Sequence, residues 1–283
     1  MKVAHEAPLD IMSTIREYTD YDYILPHLLD EYPEYEKFFR ESKEMGRYII
    51  MDNSLAELGY AYDFNRLKYW LHEIKPNEFI VPDVWENTNE TLSQAKYWKS
   101  YENQYKEELK DVTFVAVVQA KNYEKACLCY QSLKELGYKK IAFSYGAEWY
   151  LSFGYDGDLN YKKTWEPGEK EFYRALGRKK TLNNMLEEGY IENNDRVHLL
   201  GCAYPGEFKD YVYGREGSKY KFIETIDTSN PVMAGLEGII YDNGFWFNKP
   251  KPNINSHFNK ETPFYALQII KFNIKKFKRL NLI

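Results

Sequence analysis

Three aspartates follow short apolar runs in this sequence: Asp52, Asp83 and Asp227. Enzymes with parallel sheets carry their catalytic groups at the carboxyl ends of buried strands, and an acid placed there serves as a nucleophile or transfers protons. A structural interpretation is also open for each acid, since Asp opens turns and caps helices. It applies most directly to Asp227, because the Thr-Ser-Asn-Pro segment after it predicts a turn before Pro231.

Three further apolar runs end in an amide or a glycine: Gln119, Gly146 and Gly201. Stretches with apolar residues at helical spacing separate the runs, and this alternation of strand and helix is typical of parallel βαβ units. With about seven or eight strands and polar residues at their ends, it predicts an α/β fold, a (β/α)8 TIM-type barrel. A doubly wound sheet is the alternative. Such a sheet is expected to carry a glycine-rich phosphate loop after its first strand, and neither GxGxxG nor GxxxxGK[ST] occurs in this sequence.

No linker-like or low-complexity segment divides the chain, so we expect residues 1–283 to form a single domain. Within it, residues 20–45 predict one or two helices, because aromatic and acidic residues alternate there around two prolines. A loop or insertion is expected at about 150–170, where Gly, Asp, Asn and Pro occur without periodicity. A basic amphipathic helix is predicted at about 263–283.

The bulk composition bounds the class of protein. The 283 residues are 44% hydrophobic and 29% charged, which is typical of a globular protein, and a net charge of -5 argues against a surface that is basic throughout. Cys127, Cys129 and Cys202 are too few for a disulfide framework, and the first two lie in a helical pattern without further zinc ligands. With no signal-peptide pattern and no apolar run of about 18 residues, a cytoplasmic protein without a membrane partner is expected.

Six segments of the chain resemble, in order, the guanine transglycosylase superfamily: IIMDNSLAELG, FIVPDVWENT, VAVVQA, SYGAE, HLLGCAYPGEF and FIETIDTSNPV. The resemblance covers roughly residues 45–240. The best-known members of this superfamily exchange guanine in transfer RNA for a 7-deazaguanine base, on a (β/α)8 barrel. Each segment is short, and their order at barrel spacing is what makes the resemblance specific.

The resemblance implies a role for each strand-end residue. Asp227 attacks C1′ of the nucleoside as guanine leaves and forms a covalent glycosyl-enzyme, and Asp52 then takes the N9 proton of the incoming base. Asp83 accepts hydrogen bonds from N1–H and the exocyclic amine of the base, while Gln119 donates to its O6 or to its substituent at position 7. The two strand-end glycines let the backbone approach the base, and Tyr145 is a candidate to stack on it.

The sequence departs from the transfer-RNA enzymes in two ways. Those enzymes carry a CxCxxC…H zinc site near the C-terminus, whereas residues 240–283 contain no Cys and a single histidine, His257. The arginines that follow the nucleophile there are also missing, since Asp227 precedes TSNPVMAGLEG. A compact barrel without the zinc module resembles the bacteriophage branch, which inserts 7-deazaguanines such as 7-cyano-7-deazaguanine into DNA. We therefore expect DNA as partner, with transfer RNA as the alternative, and neither a metal nor a cofactor.

Basic helices are candidates for the phosphate contacts that such an activity needs. Their residues are Arg174, Arg178, Lys179 and Lys180 in one helical stretch, and Lys275 and Lys276 near the C-terminus. A basic helix face that is merely solvated is the alternative. Two other functions stay open: a catalytically silent nucleic-acid-binding barrel, and an unrelated barrel hydrolase that uses Asp52 and Asp227. Whether the chain forms a homodimer is also open.

Overall fold

The computed structural model describes residues 1–155, 157, 164–166, 168–202, 204–212, 218–241 and 254–280. These residues form eight short strands. They are β1 (Lys2–Ala4), β2 (Asp22–Ile24), β3 (Ile49–Met51), β4 (Glu78–Ile80), β5 (Thr113–Val118), β6 (Lys140–Ser144), β7 (Val197–Leu200) and β8 (Ile223–Asp227). Nearly every strand residue is buried, as expected for a parallel sheet covered by helices.

The strands form one parallel sheet in the order β1-β8-β7-β6-β5-β4-β3-β2. From β2 to β8 each strand lies beside its predecessor in the chain, and β1 pairs with β8 so that Ala4 is opposite Asp227. First and last strands are neighbours in this way in a (β/α)8 barrel, whereas a doubly wound sheet reverses its strand order in the middle. The order excludes the doubly wound alternative and confirms the predicted α/β fold of the (β/α)8 TIM type.

Helices lie between the strands along the described chain. They are α1 (Met12–Arg16), α2 (Pro26–Glu31), α3 (Pro33–Glu44), α4 (Leu55–Leu58), α5 (Phe64–Ile74), α6 (Thr88–Gln104), α7 (Tyr123–Glu135), α8 (Glu148–Gly154), α9 (Glu169–Glu187), α10 (Glu207–Val212), α11 (Asn230–Leu236) and α12 (Phe264–Leu280). Side-chain oxygens of Asp63, Asn87 and Asn122 cap α5, α6 and α7. None of the helices in this part of the chain combines the length and the apolar character that a membrane crossing demands.

The chain divides into two compact units. The first unit consists of Met1–Thr19, Ser144–Asp195 and Leu199–Ile283, and the second unit of Asp20–Phe143 and Arg196–His198. Aromatic rings of the strands and helices fill the core of the second unit. Among them, Phe79 packs edge to face on Trp98 and on Phe114, with ring centroids 5.0 and 5.4 Å apart.

Helices α8 and α9 of the first unit cross backbone to backbone. A Cβ atom at Gly177 would lie 2.0 Å from the carbonyl oxygen of Tyr150, and a Cβ atom at Gly154 would lie 2.0 Å from that of Tyr173. Glycine therefore permits a contact that any larger residue would prevent. The crossing fixes Arg178, the residue after Gly177, in a position where it is 0% exposed.

Three expectations about the elements need correction. Residues 20–45 contain α2 and α3 as predicted, but also the unpredicted strand β2. The region 150–170 is not a continuous loop, because α8 runs to its end at Gly154 and α9 begins at Glu169; residues 156, 158–163 and 167 lie outside the described residues. The segment before Pro231 does not form an isolated turn, since Pro231 lies in the first turn of α11, where its missing N–H costs nothing.

A buried ion pair joins the amino ends of two strands in the second unit. Nζ of Lys140, the first residue of β6, lies 2.8 Å from each carboxylate oxygen of Glu78, the first residue of β4. The two side chains are 0% and 1% exposed. Tyr48 also donates a hydrogen bond to Glu78 at 2.6 Å. Arg196 Nη2 lies 3.6 Å from the same carboxylate but is partly exposed, so Lys140 is the buried charge that replaces the water Glu78 loses.

We expect Lys140→Met to lower the free energy of unfolding by about 3 kcal/mol, because the buried Glu78 carboxylate would lose its buried cation and keep only the partly exposed Arg196, whose Nη2 lies 3.6 Å away. Urea unfolding followed by circular dichroism measures the loss. Lys139→Met removes an exposed neighbouring lysine and is the matched control, with an expected change below about 0.5 kcal/mol. Equal effects of the two substitutions would contradict the importance of the pair.

Candidate functional site

Three polar side chains of the second unit meet at the carboxyl ends of β3, β4 and β5. Asp83 is 3% exposed and lies between two carboxamides. Asn53 Nδ2 donates to Asp83 Oδ1 and Gln119 Nε2 donates to Asp83 Oδ2, each at 2.7 Å. The Asn53 amide also donates to the carbonyl oxygen of Val81 at 3.0 Å. The structure thus brings together two of the predicted base-binding residues and adds Asn53, which sequence reasoning missed.

The carboxyl group of Asp83 is almost completely shielded from water. Burial raises the pKa of Asp83 to about 6, although hydrogen bonds from Gln119, Asn53 and its own backbone N–H lower it. An ionised carboxylate has about four acceptor positions; the two amides use one on each oxygen, and the backbone N–H of Asp83 also interacts with the carboxylate. Asp83 is therefore equipped to accept further hydrogen bonds at neutral pH, or to exchange a proton just below it.

The Gln119 amide has a fixed orientation. Its Oε1 accepts the backbone N–H of Glu86 at 2.9 Å, so its Nε2 faces Asp83. Thr88 Oγ1 donates to the Gln119 carbonyl oxygen at 2.8 Å. Glu86 has a φ of 49°, which is uncommon for a residue with a side chain. Strained backbone beside buried polar groups is typical of functional sites.

Asp52 is buried at the end of β3, and the chain itself uses one of its oxygens. Its Oδ2 accepts the backbone N–H of Ser54 at 3.2 Å, and Asn53 Oδ1 accepts that of Leu55 at 2.9 Å. Ser54 has a φ of 63°, and its Oγ lies 2.8 Å from Nδ1 of His27. This turn holds Asp52 and Asn53 in place. Nothing in the sequence pointed to His27, whereas Asn53 directly follows a strand-end acid.

Asp227 ends β8 in the first unit and is 5% exposed. Its two carboxylate oxygens lie 3.2 and 3.3 Å from the backbone nitrogen of Gly201, so they share that N–H. Gly201 has a φ of 66°, and a Cβ atom there would lie 2.3 Å from Cδ1 of the Tyr145 ring. Both the conformation and the neighbouring ring therefore require glycine. Three predicted site residues, Asp227, Gly201 and Tyr145, thus lie together.

The segment after Asp227 is tied to both β1 and α11. The backbone N–H of Thr228 donates to the Ala4 carbonyl oxygen at 2.9 Å, and His5 Nδ1 lies 3.3 Å from the Thr228 carbonyl oxygen. Thr228 Oγ1 accepts the backbone N–H of Asn230, the first residue of α11, at 3.0 Å. The pairing of β8 with β1 and the start of α11 therefore fix the backbone on either side of Asp227.

The predicted phosphate contact of Arg178 is wrong. The side chain is 0% exposed, and its guanidinium donates to the two carboxylate oxygens of Glu207 at 2.8 and 2.9 Å. A group buried in this way is not accessible to a polymer. The local run of basic residues indicated a solvated face, and only the position of Glu207 in the fold overturns it.

The other five basic residues keep their phosphate role as a prediction. Lys180 and Lys275 are exposed, and Arg174, Lys179 and Lys276 are half-buried. The Arg174 guanidinium pairs with Glu148. The exposure of Lys180 and Lys275 is compatible with phosphate binding.

Two further expectations stay predictions. The cooperation of Asp52 with Asp227 rests on the sequence resemblance, as does the base-lining role of Gly146, which is half-buried two residues beyond β6. In the ranges that the structure describes, no group of three or more His, Cys, Asp or Glu side chains is placed to hold a metal ion.

Comparison with known proteins adds no relative, since neither a protein-family model nor a curated protein matches this chain. The resemblance to the guanine transglycosylases therefore rests on the six strand-end segments.

We expect Asp83→Asn to remove part of the pH dependence of stability. The pKa of Asp83 is about 6 in the fold, against an ordinary value of 3.8. Between these values the folded state binds more protons than the unfolded state, so the stabilisation from Asp83 is complete below about pH 4 and is lost as the pH rises through about 6. The loss amounts to roughly 3 kcal/mol.

Urea unfolding near pH 4 and near pH 7 measures this loss. The control is Asp63→Asn, because Asp63 caps a helix and Asn caps equally well. Asp83→Asn should lose less stability than the control between the two pH values. Equal losses would contradict the raised pKa.

We expect Gly201→Ala to lower the free energy of unfolding by about 2–4 kcal/mol, since a positive φ and pressure on a ring add together. Gly46→Ala is the matched control, because Gly46 has a φ of 69° and nothing within 4 Å of an added Cβ atom. It measures the backbone cost alone. The double variant Gly201→Ala/Tyr145→Ala should recover the difference, and equal losses in the two single variants would show that the ring exerts no pressure.

Proposed function

We propose that this protein is a DNA-guanine transglycosylase, which exchanges guanine in DNA for a 7-deazaguanine base through a covalent Asp-glycosyl intermediate. The observation that carries the proposal is the pair of Asp83 oxygens held between the amides of Asn53 and Gln119. Asp83 and Gln119 follow β4 and β5, the two strands that the resemblance assigns to base recognition, and Asn53 follows the neighbouring strand β3. The three residues lie in a (β/α)8 fold, in which strand ends carry the chemistry.

The Asp83 carboxylate suits a guanine-like base. Such a base presents N1–H and an exocyclic amine side by side, and two carboxylate oxygens accept both donors. Each oxygen is already oriented by one amide, so the base would meet acceptors in fixed positions. Adenine offers an acceptor at N1 and would leave one buried oxygen without its donor, which disfavours it. The second hydrogen of Gln119 Nε2 suits the O6 of the base.

The chemistry proceeds in two displacements at C1′. A carboxylate oxygen of Asp227 bonds to C1′ while the C1′–N9 bond breaks. The electron pair of the broken bond leaves with guanine, whose N9 takes a proton from the protonated Asp52 carboxyl group, so that Asp52 becomes ionised. The incoming base then gives its N9 proton to Asp52 and attacks C1′ with that nitrogen, and the bond to Asp227 breaks to restore the carboxylate. Two inversions retain the original configuration.

DNA is the proposed polymer because residues 240–283 lack the cysteines of the zinc module that the transfer-RNA enzymes carry. The exposed Lys180 and Lys275 are the proposed phosphate contacts on an otherwise acidic protein. A base inside a duplex has to leave the stack to reach a buried carboxylate, at a cost of about a few kcal/mol. Damaged or unpaired sites are therefore the more reactive substrates.

The test is the incorporation of radiolabelled 7-cyano-7-deazaguanine into duplex DNA and, in parallel, into transfer RNA. With the wild-type protein we expect label in DNA and a denaturant-stable protein–DNA adduct. With Asp227→Asn we expect both the incorporation of label and the formation of adduct to fall by at least about a thousandfold. The control is again Asp63→Asn, the same chemical change at a helix cap, which should leave the rate unchanged.

Three results would overturn the proposal. Label that enters only transfer RNA would show that the protein exchanges bases in transfer RNA and not in DNA. Release of guanine without replacement indicates a hydrolase. DNA binding without any adduct, unchanged in Asp227→Asn, indicates a catalytically silent binding protein.

A further inference from the structure

Arg178 is buried against the carboxylate of Glu207. Its Nε and Nη2 donate to Glu207 at 2.8 and 2.9 Å, and the two side chains are 0% and 1% exposed. Tyr211 donates to the same carboxylate at 2.6 Å. Burial works against the charged guanidinium, but Glu207 holds the pKa of Arg178 above its ordinary value, so Arg178 stays cationic.

The remaining donors of Arg178 hold the end of β7. Nη1 donates to the carbonyl oxygen of Leu200 and Nη2 to that of Gly201, both at 3.1 Å. A buried ion pair adds little net stability, because the loss of solvation offsets the attraction. The rigid planar fork of arginine does fix directions, which a lysine ammonium does not. Two successive carbonyl groups are thereby held in place.

One peptide unit connects Arg178 with Asp227. The Leu200 carbonyl and the Gly201 N–H belong to the same planar group, and in a trans peptide they point in opposite directions. Arg178 binds the oxygen end, and the Asp227 carboxylate accepts the N–H end. A cation and an anion thus polarise one peptide from its two ends, which strengthens both hydrogen bonds.

We infer that Arg178 is a positioning residue for Asp227, which acts through the Leu200–Gly201 peptide and is anchored by Glu207. The kinetic part of this inference rests on the proposed function, whereas the positioning itself does not. The Gly201 N–H keeps the carboxylate aimed during attack on C1′ and receives it again when the incoming base displaces it. Without Arg178 the Leu200 carbonyl loses a donor that fixes the plane of this peptide, which slows the chemical step while DNA binding is unchanged.

The first measurement is the amide resonance of Gly201 in the full chain labelled with 15N-glycine. Asp227→Ala removes the acceptor and should move the amide proton upfield, which assigns the signal and sets the direction. Arg178→Lys, which keeps the charge but not the fork, should move it the same way. Glu207→Gln should also move the Gly201 amide proton upfield, and it replaces Arg178→Lys in the test if that variant does not fold.

Lys140→Met is the matched control, because it breaks another buried ion pair, at the amino ends of β4 and β6. It should destabilise the protein and leave the Gly201 resonance in place. A Gly201 resonance that is unchanged in both Arg178→Lys and Glu207→Gln would overturn the inference. So would an equal shift in Lys140→Met, since any loss of stability would then have the same effect.

The second measurement is the single-turnover rate of adduct formation on a guanine-containing duplex oligonucleotide. Arg178→Lys should slow it about ten- to a hundredfold, with the Kd for the oligonucleotide within about twofold of wild type. Lys140→Met should keep the wild-type rate per folded molecule. An unchanged rate in Arg178→Lys would also overturn the inference. If the wild-type protein forms no adduct, the proposed function fails, and the amide resonance still decides whether Arg178 positions Asp227.

Discussion

Burying a charged side chain costs on the order of several kcal/mol unless other groups replace the water it loses, and this constraint governs both edges of the sheet. At the amino ends of the strands, Glu78 receives the opposite charge of Lys140. At the carboxyl ends, Asp83 receives two neutral amides, which leave its pKa raised to about 6. A full countercharge makes a structural pair, whereas neutral donors leave a carboxyl group able to gain or lose a proton near neutrality.

The structural and the functional interpretation of the three aspartates turn out not to exclude each other. Asp52 does form a turn, through the N–H of Ser54, and this turn is what places Asn53 beside Asp83. The helix after Asp83 is capped by Asn87 instead, so Asp83 is not needed as a cap. After Asp227, Thr228 provides the hydrogen bond that starts the next helix. The polar residues around the candidate acids carry the local structure and leave the acids oriented.

The sequence predicted the fold and the strand ends because both depend on short-range patterns. A continuous apolar run followed by a polar residue marks a buried parallel strand with little ambiguity. Strand β2 was missed because it is only three residues long, Asp22–Ile24, inside a segment rich in aromatic and acidic residues. Arg178 was misjudged because its surroundings are basic while its partner, Glu207, lies 29 residues further along the chain. Contacts of that separation depend on packing, which no local pattern reports.

The two buried acids that the proposal uses most are held by different kinds of donor, and the difference suits their roles. Two amide side chains hold Asp83, so changes at Asn53 or Gln119 would tune its pKa and the preference for a base that we propose for it. The main-chain N–H of Gly201 holds Asp227. The orientation of Asp227 therefore depends on residues that fix this part of the backbone, Arg178 among them. A nucleophile alternates between anion and ester during two displacements. A peptide N–H has no pKa in the accessible range, so it donates to the carboxyl oxygens in both states and keeps the same geometry throughout the reaction.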